Sequence, residues 1–142
     1  TLEDLSEDDV SALSMGSAYF LSSSDRAGRR VLFNVCKLHK YKDRMNQLRV
    51  IWYLVMFTLM DDEDAQKKGV VAVVYSLGPS RMDENDLALT REGARIMQTL
   101  PVRFASLHYC FDDAMLHPVV SLAKLVVGTS TRLRFRDHFG TF

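Results

Sequence analysis

The chain has 142 residues, 47% of them hydrophobic and 25% charged, which is the profile of one globular domain, spanning 1–142, with enough apolar side chain for a real core. Lys plus Arg and Asp plus Glu both number 18, so no global basic excess points to nucleic acid or to constitutive membrane attachment, and disorder is excluded. Cys36 and Cys110 both sit in apolar segments, which favours two buried thiols in a reducing compartment over a disulfide. The acidic start TLEDLSEDDV lacks the apolar region of a signal peptide, so the expected location is cytoplasmic. Without an initiator Met, the chain is expected to be part of a longer protein.

In chain order, Ser6 and the acidic residues after it predict a short helix ending near Gly16. SSSDRAGRR follows as a turn, with Asp25 and Gly28 in the roles a tight turn requires, and RVLFNVCKL reads as the first strand. Residues 42–60 predict a helix whose core is the run RVIWYLVMFTLM. That run is too short for a membrane span, which needs about 20 apolar residues, and it is closed by Arg49 and by Asp61, Asp62, Glu63 and Asp64. Gly69 marks the helix exit. The valine run from Val70 to Val74 predicts a central parallel strand covered on both faces. DENDLALTREGARIMQTLP is an amphipathic helix stopped by Pro101, with Leu89, Ile96, Met97 and Leu100 as its inner stripe. VRFASLHYCF is a third strand. DDAMLHPVVSLAKLVVG is a helix starting at Asp112 and Asp113 and ending before Gly128, and TRLRFRDHF predicts a fourth strand with Arg132, Arg134 and Arg136 on one face. The order β-α-β-α-β-α-β after a leading helix places the chain in the α/β class, with a mostly parallel β-sheet and right-handed crossover helices.

The motifs of the common α/β enzymes are missing. No G-x-G-x-x-G, Walker-type loop or G-x-S-x-G elbow occurs. His39, His108, His117 and His138 lack metal-ligand spacing, so no metal and no cofactor is expected. Cys110 is the one tempting nucleophile, because strand alternation puts His108, Cys110 and Asp112 on one face. A cysteine between Tyr109 and Phe111 is more simply read as inert packing, so the chain is expected not to be an enzyme.

Two crossover helices carry more apolar side chains than one sheet face requires. From Val50 to Phe57 there is no polar residue but Tyr53, and from Met115 to Val127 few polar residues interrupt. Either both helices are packed between protein layers, or they wall a cavity for a hydrophobic ligand.

DRAGRRVLF is similar to the D-x-x-G-R-x-V opening of the CRAL-TRIO lipid-binding domain. The elements after it arrive in that family's order: a helix at DRMNQLRVIWYL, a strand ending in glycine at VVAVVYSLG, a helix closing with proline at MQTLPVRF, a strand at ASLHYCF, then an apolar helix and a strand. The resemblance covers residues 25–139. It implies a sheet forming the floor of a lipid pocket, gated by the apolar helix over residues 114–127. It makes Tyr53, Met56 and Phe57 wall residues, Val70, Ala72 and Val74 floor residues, and Leu107, Phe111, Leu122 and Leu125 further lining. Thr129 to Arg132 keeps the spacing of a Thr-x-x-Lys headgroup motif with Arg in place of Lys, so Thr129 and Arg132 are the headgroup residues that the resemblance implies. Val70 and Ala72 stand where some members carry Ser and Thr, which favours a sterol-like, isoprenoid or tocopherol-like ligand. The expected function is binding, with transfer, of a hydrophobic ligand or lipid at a transient membrane surface, with no nucleic acid partner. The alternative is a protein-interaction module of the same fold whose pocket is filled by side chains.

Overall fold

A computed structural model describes residues 5–36, 38–43, 45–76 and 84–140. Helix α1 (Glu7–Ser14) begins in a capping box: the Ser6 hydroxyl accepts from the Asp9 N–H, and the Asp9 carboxylate accepts from the Ser6 N–H. It runs into Gly16, as expected. A short strand β1 (Ala18–Phe20) follows, too brief for a period-2 pattern to be visible in the sequence. The turn before β2 (Arg30–Cys36) forms where it was expected, with Asp25 Oδ1 accepting from the N–H groups of Ala27 and Arg29.

The long apolar helix is α2 (Asn46–Leu59), and it does not run to Gly69. Asp62 accepts from the Ala65 N–H and so caps a separate helix, α3 (Glu63–Lys68). The acidic cluster that closes the apolar run therefore starts a second helix, with Glu63 and Asp64 at its positive end and Lys67 and Lys68 at its negative end. Gly69 then turns the chain with φ of 81°, and a Cβ there would stand 2.6 Å from the Arg103 carbonyl oxygen, so only glycine fits. That carbonyl accepts from the Val70 N–H at 2.9 Å, which fixes the start of β3 (Val70–Ser76). Leu77 and Gly78, the expected end of this strand, lie outside the described residues.

After α4 (Glu84–Thr99) come β4 (Phe104–Phe111), α5 (Leu116–Val126), α6 (Gly128–Arg134) and β5 (Phe135–Phe139). The expected strand over 131–139 is corrected here: its first four residues complete α6. The reason is visible on β4, whose pairing with β5 begins only at Leu107↔Phe135. Upstream of that point the Phe104 carbonyl is taken by Arg134 Nη1 at 3.2 Å, a side chain in place of a ladder bond. Arg132, Arg134 and Arg136 therefore do not share a strand face. Arg136 Nη1 donates instead to the carbonyls of Leu133 and Phe135.

The five strands lie in chain order, β1-β2-β3-β4-β5, with β1 antiparallel to β2 and all other pairs parallel. One cross-strand row is Phe20, Leu32, Ala72, Leu107 and Phe135. Helices α2, α3, α4 and α5 all pack on this row: Val55, Leu59, Ala65 and Leu100 join Leu32, Val70, Ala72 and Phe104 in one core cluster, and Leu116 and Val120 join Phe111 and Phe135 in another. Sequential strands with right-handed crossovers put every crossover helix on the same side. The opposite face carries Tyr19, Phe33, Val73 and His108 in register, and neither core cluster includes them. The expectation that helices cover both faces of the valine strand is therefore not met by the described helices. None of those helices is long and apolar enough to cross a membrane.

Candidate functional site

A cleft of about 520 Å³ opens where α4 ends, β4 begins and α6 passes over them. Its floor is apolar, from Met97, Leu100, Val102, Phe104 and Leu107. Leu100, Val102 and Phe104 are buried in the first core cluster, so the floor is rigid protein and not a loose flap. Gln66, Gln98, Arg103, Ser130, Thr131 and Arg134 form the rim. The local sequence explains the hollow. Pro101 ends α4, and the three residues from Pro101 to Arg103 bring the chain from helix to strand with Val102 buried and Arg103 exposed. On the other side α6 presents small side chains, Ser130 and Thr131. Arg134 is held in place by the Phe104 carbonyl at 3.2 Å.

Of the residues that the resemblance selects, Leu107 lines this cleft and the rest lie elsewhere. Val70 and Ala72 are buried beneath α2 and α3, where Val55, Leu59 and Ala65 occupy the space above the sheet. Val74 is half-buried on the same face. Phe111 is fully buried under Leu116 and Val120 of α5. Tyr53 stacks on Phe57 with ring centroids 5.7 Å apart, and Phe57 is 74% exposed, so this pair lies on the outside of α2. Met56 is half-buried. Leu122 and Leu125 point away from the sheet, and Thr129 and Arg132 are exposed on α6 beside Ser130 and Thr131, the residues that do reach the cleft. Sequence reasoning missed Arg103, Ser130, Thr131 and Arg134 as a group, because the strand expected over 131–139 separated them from the end of α4.

No protein-family model matches this chain, and no curated protein matches it.

A shallower groove of about 330 Å³ separates α2 from α4, lined by Met45, Leu48, Trp52 and Ile96 with Arg49 and Thr99. Trp52 is 45% exposed in it. Its Arg49 is tied to the buried Asp9 carboxylate at 2.9 Å, an ion pair that fastens α1 to α2.

The outward face of α5 is apolar as well. Met115, Pro118, Leu122 and Leu125 fall at helical spacing on it, and Met115 and Leu125 are 76% and 69% exposed. The inward stripe, Leu116, Val119 and Val120, already satisfies the sheet. This helix has one apolar face on the sheet and a second that is exposed among the described residues.

On the open side of the sheet, His108 Nδ1 lies 2.8 Å from His138 Nε2, and His108 Nε2 lies 3.2 Å from the Ser106 hydroxyl. Burial, followed by the charges of His138, Arg136 and Arg29, holds His108 below the ordinary imidazole range. Cys110 is the register partner of His138, and burial pushes its thiol up, away from the thiolate that a nucleophile needs. Asp112 lies beyond the end of β4, so the expected grouping of His108, Cys110 and Asp112 along one strand face is not formed. Neither Cys36 nor Cys110 is in a disulfide.

Proposed function

We propose that this chain is a non-enzymatic lipid-binding domain of CRAL-TRIO type, which holds a hydrophobic ligand in the cleft between α4, β4 and α6 and exchanges it at a membrane surface. The observation that carries the reading is the cleft itself, which brings the apolar side chains of Met97, Leu100 and Leu107 together with the polar side chains of Gln98, Arg103, Thr131 and Arg134, a mixture that can take an apolar body and orient a polar end. The α/β architecture with its mostly parallel sheet supports the reading, while α3 and α6 are additions to the order that the resemblance gives. In this reading α5 and α6 move together as the gate. α6 forms one wall of the cleft, and the outward stripe Met115, Leu122 and Leu125 is the surface that enters the lipid interface. The location is that of a peripheral protein on the cytoplasmic side.

Native mass spectrometry followed by organic extraction tests the proposal. A stoichiometric co-purifying lipid, absent from a Thr131→Trp variant that fills the cleft from α6, is the expected result. A clean apo mass, with no uptake of a fluorescent lipid from vesicles, would sink it.

A second reading keeps the fold and makes the domain a protein-interaction module. It is favoured by the filled space over Ala72, where Val55 and Leu59 leave no room for a ligand, and by the uncovered α5 stripe. The two readings part on Leu122→Gln combined with Leu125→Gln. Loss of vesicle binding supports the lipid reading, and unchanged vesicle binding favours the module.

A further inference from the structure

The chain as a whole is charge-balanced, yet the twelve residues around the cleft include two arginines and no carboxylate. Arg103 and Arg134 stand on the rim with the hydroxyls of Ser130 and Thr131. Arg134 spends one N–H on the Phe104 carbonyl, which orients the guanidinium and leaves its other donors for a ligand. Among the described residues, no acidic side chain pairs with either arginine. A site of this kind, with two cationic donors and no carboxylate among its lining residues and with apolar side chains beside them, selects an acceptor-rich, negatively charged end joined to an apolar tail.

The size of the cleft narrows the tail. In liquid water a molecule takes about 30 Å³, close to the share of one chain carbon, so about 520 Å³ accommodates a ligand of roughly 15 heavy atoms. Two acyl chains of membrane length need about twice that. Resting on the lipid-binding reading above, we infer that the cleft is a site for a single-chain acidic amphiphile, a carboxylate or phosphate head on one alkyl tail, with Arg103 and Arg134 clamping the head and Met97, Leu100 and Leu107 enclosing the tail. The cleft fits one tail better than two, and neutral isoprenoids leave its arginines unanswered.

The test is titration calorimetry of the full chain with three ligands that share one tail: dodecanoate, dodecyl phosphate and dodecanol. The expected result is one site per chain for the two anions, with dodecanol at least about tenfold weaker. Arg103→Gln should bring dodecanoate toward the dodecanol affinity while leaving dodecanol unchanged. Arg134→Gln should do the same, with a thermal unfolding scan to separate loss of the head clamp from loss of the Phe104 contact. Dodecanol binding as tightly as dodecanoate, with both abolished by Thr131→Trp, would overturn the acidic-head inference and leave the apolar-ligand reading standing. No binding of any of the three, or binding untouched by Thr131→Trp, would overturn both. Inorganic phosphate competing as well as dodecyl phosphate would reduce the site to an anion site and remove the tail from it.

Discussion

The two ends of the helical layer solve the same problem in opposite ways. Over β2 and β3, α2 and α3 press Val55, Leu59 and Ala65 onto Val70 and Ala72 until nothing remains between helix and sheet. Over the start of β4, where α4 stops at Pro101 and α6 brings only Ser130 and Thr131, the layer leaves a hollow. The inward side chains of a strongly apolar helix therefore fill the space over the sheet, and the cavity forms where the sequence is mixed. Apolar density marks where side chains fill space; a cleft needs a shortage of side-chain volume, and small or polar residues at a chain reversal supply it.

That contrast can be broken first at its packed end. Leu59→Ala removes a side chain that is 2% exposed and should cost about 3 kcal/mol in urea unfolding. A loss below about 1 kcal/mol would mean that the space over Ala72 collapses freely and that the packed end is not rigid. Next is the joint between the two ends. Gly69→Ala forces a Cβ onto the Arg103 carbonyl at a left-handed backbone position and should cost about 2 kcal/mol, with a lowered thermal midpoint as the readout. Because Arg103 also lines the cleft, the same variant should weaken ligand binding as well.

Smaller effects sharpen the comparison at the surface. Leu125→Gln lies on the uncovered side of α5 and should change stability by less than about 0.5 kcal/mol by denaturant titration while reducing association with vesicles. A stability loss comparable to Leu59→Ala would show that this stripe is covered after all. The smallest effect is a pH dependence. His108 is held below the ordinary imidazole value by burial and by His138, Arg136 and Arg29, so the unfolded chain takes up a proton that the folded chain still refuses. Stability should therefore fall as pH drops through about 6.5 and level off below the folded value. His108→Gln should flatten that slope between pH 7.5 and 5, and equal slopes in the two chains would remove His108 as its source.

Much of the fold is legible in the sequence because period and punctuation agree. The Asp25 turn, the glycine at the helix exit, the valine strand and the Pro101 stop all sit where local chemistry demands them. The failures have local causes too. Ala18–Phe20 is too short for alternation to register. Glu63–Lys68 is hidden because an acidic run ends one helix and caps another with the same residues. Gly128–Arg134 reads as strand because Leu133 and Arg134 alternate like one, while pairing along β4 decides otherwise. The cleft was least legible. Leu107 alone was anticipated in it, since its rim is assembled from α3, α4 and α6 by the fold and no one segment carries its pattern.

The strand order also has a kinetic meaning. Each strand pairs with the next one in the chain, so each pairing closes a single crossover and none has to wait for a partner made much later. The sheet can grow from its amino-terminal hairpin by adding one helix and one strand at a time, each docking on an edge already present. In such an order the cleft, framed by α6 on its last side, closes late, with only β5 left to dock.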